Sequence, residues 1–357
     1  GGGLRLICPT VTMGRKYGKE KWGNMRKKLR MTGKYLLRAL LLILAVISIN
    51  FVLVHLMPGD PLVHLVGEEE YYSLSAQYPE KLEEIRAQYS LDGNLFQQYI
   101  RYLGQVLTFQ FGHSYIDGSS VAETVFFRMK WTILLALAAI VISAAVGGAL
   151  GVLAGYKKGG KLDSVLTGFF LFLETIPSNC LALLFLILFS YKLHWFPVGG
   201  MAAGNVEGIE KIVSILHHMV LPVAVLVLFR TSSNFLQMKS FVSQIKDEEY
   251  ITTAVTKGLP KRKLLFRHLI RNAMVPYVTV ICMQIGHILS GSMLIEVVFS
   301  WKGMGTLIYD AVQTRDYPTV QMCFLVIAVC VVLFNFAADF LCMQMDPRIQ
   351  DGVREYE

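Results

Sequence analysis

The sequence contains six apolar runs, and each is long enough to cross a lipid bilayer as one α-helix. These runs are residues 36–57, 131–155, 165–191, 214–238, 273–299 and 319–343. About 20 apolar residues span the hydrocarbon core as a helix. Of the 357 residues, 54% are hydrophobic and only 17% are charged, which is less charge than a soluble domain carries. We therefore predict an all-α polytopic membrane protein with six transmembrane helices.

The positive charge is concentrated in three regions that six spans would place on one side of the membrane. Residues 1–38, 156–164 and 239–271 together hold 22 of the 34 Lys and Arg residues. The positive-inside rule makes this side cytoplasmic, and both termini are then cytoplasmic. The net charge of +8 is therefore interpreted as an orientation signal, and we expect no nucleic-acid partner.

The spans divide the chain into five segments. They are a basic cytoplasmic extension that is native or left over from cloning (1–34), the first transmembrane helix (35–57), a long external loop (58–130), a five-helix core (131–343) and a cytoplasmic tail (344–357).

The external loop begins with a turn at Met57–Pro61, and helical spacing predicts short helices within Pro79–Tyr89 and Leu95–Phe109. Two interpretations stay open: the loop covers the external mouth, or it is part of a docking surface for an external partner.

One long polar stretch, Asp247–Pro276, separates the fourth and fifth spans, and its pattern is helix, stop, helix. The spacing of one apolar face recurs in the first part, at Tyr250, Ile251, Ala254 and Val255. Gly258 suits the left-handed residue after a helix, and Pro260 suits the first turn of the next. The same apolar spacing returns at Leu264, Leu265, His268 and Leu269. We predict a bent pair of short amphipathic helices, with the whole segment covering 247–271.

A few polar residues lie inside the predicted spans, where ionisable groups are costly and usually functional. The third span holds Glu174 beside Pro177, which can bend the helix. The fourth turns polar toward its inner end, at Arg230, Ser233 and Asn234. Two interpretations stay open. Arg230 pairs with Glu174 or with a partner subunit, or these polar residues line a pathway for a substrate with charged ends.

Other local patterns indicate packing rather than chemistry. Gly147, Gly151 and Gly155 recur at intervals of four, which allows another helix to approach closely. Gly155–Leu162 is similar to a phosphate-binding loop, but Leu162 replaces the required hydroxyl and the preceding element is not a strand. We therefore expect no ATP site in this chain. The pattern also contains no hydrolytic or redox motif and no metal-ligand spacing, so we expect no catalytic residues in this chain.

The polar stretch resembles the cytoplasmic signature of the permease subunits of binding-protein-dependent ABC importers, in the dipeptide, oligopeptide and nickel branch. The residues that carry the match are Glu249, Tyr250, Thr253, Ala254, Lys257 and Gly258, followed by Leu259. Thr252 and Thr253 stand where the general signature has Glu and Ala, whereas the peptide branch has a hydroxyl-Ala pair there.

The resemblance covers roughly residues 35–350. Its further pieces are Met57–Pro61, Gln98-Tyr99, Tyr102-Leu103, Phe111-Gly112 with Ser114, Ile176-Pro177-Ser178, Gly291-Ser292-Met293, Ile295-Glu296, Gly303-Met304-Gly305, Arg315-Asp316-Tyr317 and Asp346-Pro347-Arg348. Their order and spacing, rather than any single piece, make the match specific.

The resemblance implies a type I ABC importer permease of the first-permease type in a prokaryotic plasma membrane. Its partners would be a second homologous permease, two cytoplasmic ATPases that bind ATP and Mg, and an external substrate-binding protein. The seven signature residues would couple ATPase closure to alternating access, and the substrates would be short peptides.

Two alternatives remain at this stage. The first is import of nickel, a metallophore or glutathione by the same family. The second is a stand-alone ion-coupled secondary transporter, for which we would expect internal repeats and several buried charges.

Overall fold

The computed structural model describes residues 40–52, 55–56, 61–88, 93–108, 110–204, 206–286 and 292–345. In this part of the chain every regular element is a helix, and one isolated bridge pairs His113 with Ser120. The predicted all-α class is therefore confirmed. The extension 1–34, nearly all of the Met57–Pro61 turn, Gly291 and the Asp346-Pro347-Arg348 piece lie outside the described residues.

Five helices precede the core. They are α1 (Leu40–Val52), α2 (Pro61–Val66), α3 (Glu68–Gln77), α4 (Pro79–Gln88) and α5 (Leu95–Thr108). Helices α4 and α5 confirm the helical spacing that we identified in the external loop. Helix α3 was not predicted, because its sequence is acidic and has no apolar periodicity.

The core contains long helices connected by short ones. They are α6 (Val121–Tyr156), α7 (Lys161–Thr175), α8 (Ser178–Phe185, continued by the π-helix Leu186–Lys192), α9 (Gly208–Lys246), α10 (Glu249–Thr256), α11 (Lys261–Lys263, continued by the π-helix Leu264–Ile270), α12 (Arg271–Gly286), α13 (Met293–Val298), α14 (Met304–Gln313) and α15 (Tyr317–Met345).

Within the described residues, three helices are long and apolar enough to cross a membrane: α6, α9 and α15. Helices α7 and α8 pass the same test together, as a pair bent by 95°. The bend lies at Pro177, where we expected one, because proline has no N–H to continue the helical hydrogen bonds. The two other predicted spans coincide with shorter helices, α1 and α12, of which α12 has 16 residues.

Two helices extend beyond the apolar runs that they contain. Helix α6 begins at Val121, before the run 131–155, and α9 covers Gly208–Lys246, around the run 214–238. One prediction was wrong: the second helix of the polar stretch is not short, because α11 and its π-helix run without a break into α12. Hydropathy marks only the apolar part of a helix, because a helix can continue beyond it wherever other elements pack against it.

Helices α6 and α9 pack closely along the three glycines. A Cβ on Gly147 would lie 2.7 Å from the Cβ of Asn234, and one on Gly151 would lie 2.8 Å from the carbonyl of Phe235. A Cβ on Gly155 would lie 2.9 Å from a carbonyl of α9. No side chain fits at these positions, so the predicted packing role is confirmed and the helix that approaches is α9.

Candidate functional site

Helix α10 ends in a closed turn at the position that the sequence predicted. Gly258 has φ of +77°, the left-handed conformation that glycine adopts without strain. Its N–H donates to the Val255 carbonyl at 2.9 Å, and the Leu259 N–H donates to the Ala254 carbonyl at 3.2 Å. These two bonds form a Schellman motif, which satisfies the last carbonyls of α10 and turns the chain toward α11.

One side of α10 packs against its own chain. Ile251 and Ala254 are buried, and they form a cluster with Leu264 and Leu269 of the following π-helix. Leu259 is half-buried against the same cluster. The predicted apolar face is therefore divided, because its other two members, Tyr250 and Val255, are exposed. Among the seven predicted coupling residues, Ala254 and Leu259 hold α10 in place rather than facing outward.

The other predicted coupling residues are exposed. They are Glu249, Tyr250, Thr253, Lys257 and Gly258. Together they present an acid, a phenol, a hydroxyl and a cation on one small surface, and the Thr253 hydroxyl donates to the Glu249 carbonyl at 3.0 Å. Such a surface offers contacts to a protein partner.

Side-chain bonds join α10 and its flanks to α12, to α6 and to the turn between α6 and α7. The Asn272 amide of α12 donates to the Tyr250 hydroxyl at 2.8 Å. The Lys246 ammonium, at the end of α9, donates to the Tyr156 carbonyl of α6 at 2.8 Å. Lys158 pairs with Asp247 at 2.9 Å, and this ammonium lowers the pKa of the Asp247 carboxyl. The junction of α9 and α10 is therefore bound to the α6–α7 turn.

A second group of contacts at this end involves residues that the sequence analysis did not single out. The Asp163 carboxylate of α7 pairs with Lys239 of α9 and accepts bonds from the Gly159 N–H at 3.0 Å and the Thr167 hydroxyl at 3.1 Å. The Lys239 ammonium also donates to the Thr167 hydroxyl at 2.7 Å. The available signal was Asp163 itself, an acid close behind three lysines, Lys157, Lys158 and Lys161. Two of the basic residues interpreted as orientation signals, Lys239 and Lys158, therefore also have carboxylate partners.

The predicted pathway residue Asn234 lies inside the chain. Its amide donates to the Ser143 hydroxyl of α6 at 3.2 Å, and its carbonyl accepts a bond from Gln284 of α12 at 2.7 Å. Asn234 is fully buried and lies against Gly147. It therefore joins α6, α9 and α12 through polar contacts instead of facing an open surface.

Arg230, Glu174 and Ser233 are more accessible. Glu174 is exposed at the end of α7, just before the bend at Pro177. Arg230 is half-buried on α9, and in the described part of the chain it makes no ion pair with Glu174. Ser233 is half-buried and accepts a bond from Gln237 at 2.9 Å. Of the interpretations left open above, the direct pairing of Arg230 with Glu174 is not formed among the described residues.

Two buried carboxylates hold the other end of the molecule. Glu296 is fully buried, and its oxygens accept bonds from the Ser292 hydroxyl at 2.8 Å and the Gly305 N–H at 2.7 Å. Asp316 accepts bonds from the Ser114 hydroxyl at 2.6 Å and the Thr319 hydroxyl at 2.7 Å. Five of the short pieces that carried the resemblance thus meet in these two clusters.

The position of the Glu296 carboxylate explains why Gly303 and Gly305 are glycines. A Cβ on Gly303 would lie 2.4 Å from its Oε2, and one on Gly305 would lie 2.8 Å from the same oxygen. Among the described residues, no group of three His, Cys, Asp or Glu side chains could hold a metal ion.

Three long apolar helices and a bent apolar pair, all within the described residues, are the features of a multi-pass membrane protein. Residues 147–351 match the family described as binding-protein-dependent transport system inner membrane component. The chain belongs to this family, and the resemblance identified from the sequence is confirmed.

Named relatives align along nearly the whole chain. The dipeptide transport system permease protein DppB of Escherichia coli is 32% identical over 85% of this chain and 93% of its own length. The oligopeptide transport system permease protein AppB of Bacillus subtilis is 30% identical over 87% and 95%. A protein of Brucella suis with a provisional peptide-permease name is 34% identical over 88% and 97%.

Proposed function

We propose that this chain is a pore-forming subunit of an ATP-driven importer of short peptides. The proposal is supported by relatives that are named for dipeptide and oligopeptide transport and that align over 85% or more of the chain. Its partners would be a second homologous permease, two cytoplasmic ATPases that bind ATP and Mg, and an external binding protein. This chain would have no catalytic role of its own.

The proposed topology has six spans and cytoplasmic termini in a prokaryotic plasma membrane. Helices α6, α9 and α15 and the bent pair would supply four spans, and α1 and α12 would supply the others. The loop 58–130, with α2 to α5, would then be external, and α10 would lie in the cytoplasm with the basic regions. Helices α5 and α10 make their contacts at opposite ends of the helix bundle, which agrees with an external position for α5 and a cytoplasmic position for α10.

The proposed coupling element is α10, and one observation carries this assignment. Its inner face is fixed by Ile251 and Ala254, while its outer face leaves Glu249, Thr253 and Lys257 exposed. Helix α10 is bonded to α12, and it directly follows the end of α9, which is bonded to α6. A displacement of α10 by an ATPase would therefore move α6, α9 and α12 together. Such a rigid-body movement can switch a cavity between its inward and outward openings.

The proposed substrate pathway runs past Glu174 and Arg230. A short peptide is a zwitterion, so a carboxylate and a guanidinium that do not neutralise each other can contact its two ends. Ser233 adds a hydroxyl one turn further along α9. Asn234 supports this surface from behind, through its bonds to Ser143 and Gln284.

A matched pair of variants tests the coupling role. Thr253 and Thr314 are both exposed, and each hydroxyl donates to the carbonyl four residues earlier. Thr253→Arg should reduce co-purification of the ATPases and lower peptide uptake in vesicles, because it changes the α10 surface without touching the core. Thr314→Arg, at the other end of the molecule, should leave ATPase association unchanged. Normal association and uptake with Thr253→Arg would refute the assignment.

The same vesicle uptake experiment distinguishes the proposed function from two other functions. Uptake without added ATPases would support the stand-alone secondary transporter. Uptake that requires ATPases, but occurs with nickel, a metallophore or glutathione and not with dipeptides, would retain the importer and replace the substrate class.

A further inference from the structure

Helix α5 has two apolar faces, and only one of them packs against the chain. Its inner face joins the main apolar cluster through Tyr99, Tyr102, Leu103 and Val106. A second stripe is exposed, with fractional exposures of 69% for Phe96, 51% for Ile100 and 81% for Leu107. At about 100° per residue these three side chains project within a 40° arc. The polar residues Gln97 and Thr108 project from a separate strip.

Helix α5 lies across α1. The Tyr99 hydroxyl shares a 2.7 Å hydrogen bond with Ser48, and the Phe51 ring lies 5.2 Å from the Tyr99 ring. Nearer the end of the first predicted span, His55 shares a 2.9 Å hydrogen bond with Gln98. The adjacent residues Gln98 and Tyr99 of α5 thus contact His55 and Ser48, which are seven positions apart in the chain, so α5 crosses this segment rather than running parallel to it.

The contacts of α5 also give its level along the first predicted span. Ser48, Phe51 and His55 lie in the last ten residues of that span, 36–57, which the proposed topology places at its external end. Amphipathic helices rest with their apolar side about 5–10 Å into the boundary between headgroups and acyl chains. At the same level α1 presents Ile49 and Val52, which are 58% and 51% exposed.

We propose that α5 lies on the external membrane surface, with Phe96, Ile100 and Leu107 inserted among the lipid acyl chains. The inference rests on the proposed topology, in which α1 spans the bilayer. The exposed stripe then continues the lipid-facing surface of α1, and the strip of Gln97 and Thr108 faces water. Helix α5 anchors the external loop to the bilayer, so that α2 to α4 extend from a fixed base.

Photolabelling of the unmodified importer in phosphatidylcholine vesicles tests the proposal. The probe is a phosphatidylcholine with a diazirine in its acyl chain, and labelled residues are located by mass spectrometry. We expect label on Phe96, Ile100 and Leu107, and severalfold less on the adjacent Gln97 and Thr108. Label on the polar residues equal to that on the apolar ones would overturn the proposal.

An internal control separates this proposal from the topology. Ile49 of α1 should be labelled if α1 spans the bilayer. Label on Ile49 without label on α5 would overturn the lipid contact alone and would indicate that a second subunit or the binding protein covers the stripe. Absence of label from both Ile49 and α5 would overturn the proposed topology itself.

Discussion

Helices α10 and α14 are both short and both adjoin α6, but they are held in different ways. In the N-terminal half of α6, the α14 N-terminus is fixed by buried acceptors: the Met304 N–H donates to Thr132 at 2.7 Å and the Gly305 N–H donates to Glu296 at 2.7 Å. At the C-terminal end of α6, α10 rests on a small apolar cluster and on surface bonds. Thr132 lies about three turns into α6 and Tyr156 is its last residue, so the two positions are about 36 Å apart at the α-helical rise.

This difference indicates which end tolerates movement. A buried carboxylate is expensive to separate from its donors, because water is absent to replace them. The bonds around α10 are partly exposed, and each can exchange with water at little cost. We therefore expect the α14 end to move as one rigid unit and the α10 end to adjust to a partner.

The largest effect is expected for Glu296→Ala. The change leaves the Gly305 N–H without its acceptor and opens a cavity, and it should lower the free energy of unfolding by about 3 kcal/mol. The control is Glu296→Gln, which retains one acceptor oxygen and should lose less. Thermal unfolding of the purified chain in detergent measures both. Equal losses for the two variants would show that the carboxylate bonds do not hold this end.

A smaller effect is expected for Gly151→Ala, in the contact that joins the two ends. The added Cβ would lie 2.7 Å from the Cβ of Met238 and would force α6 and α9 apart, at a cost of about 1–3 kcal/mol. Gly168→Ala is the matched control, because a Cβ there has nothing within 4 Å. The control should be neutral or slightly stabilising. If both variants unfold at the same temperature, the close approach is not required.

At the α10 end, Gly258→Ala should act locally. Alanine at φ of +77° is strained by about 1–2 kcal/mol, which loosens the turn without changing the core. Hydrogen exchange of the Leu259 amide should become about tenfold faster, since 1.4 kcal/mol is a factor of ten. Gly104→Ala, in α5, serves as the reference, with unchanged exchange at Leu259. Unchanged exchange in Gly258→Ala would indicate a turn already open in solution.

The smallest effect is expected for Asp247→Asn, at the exposed pair with Lys158. The pKa of Asp247 is lowered in the folded chain, so its contribution is present above the ordinary carboxyl pKa of about 3.9 and is lost as the pH falls through the lower folded value. At pH 7 the unfolding temperature should barely change, whereas Asp163→Asn should lower it measurably. A loss for Asp247→Asn as large as that for Asp163→Asn would mean that the exposed pair with Lys158 is held as firmly as the more buried pair with Lys239.

Local features of the site were predictable from the sequence, because they depend on neighbouring residues. The stop at Gly258 and the bend at Pro177 follow from the backbone preferences of glycine and proline, and both are confirmed. The three glycines of α6 predicted a close approach, although the sequence did not identify α9 as the partner.

Features that join distant residues were not predictable. The Ser114 and Asp316 side chains are 202 positions apart, and only the fold brings them together. Asn234 illustrates the other difficulty, because a small polar residue in a span gives the same signal whether it lines a cavity or lies against a glycine. Its position opposite Gly147 decides between these possibilities. Likewise, the continuity of α11 with α12 arises from packing of Leu264 and Leu269, which overrides the polar composition around them.

The bend at Pro177 has a consequence for how movement could pass through the third span. Helix α7 is bonded to the C-terminal half of α9 through Asp163 and Lys239, while α8 packs against the N-terminal half in the cluster that includes Ile295 and Trp301. The two arms can change their mutual tilt by rotation at residues 176 and 177 alone, because Pro177 has no N–H bond to break. The third predicted span would then contain a hinge between α7 and α8, and the two helices would follow movements at different ends of α9.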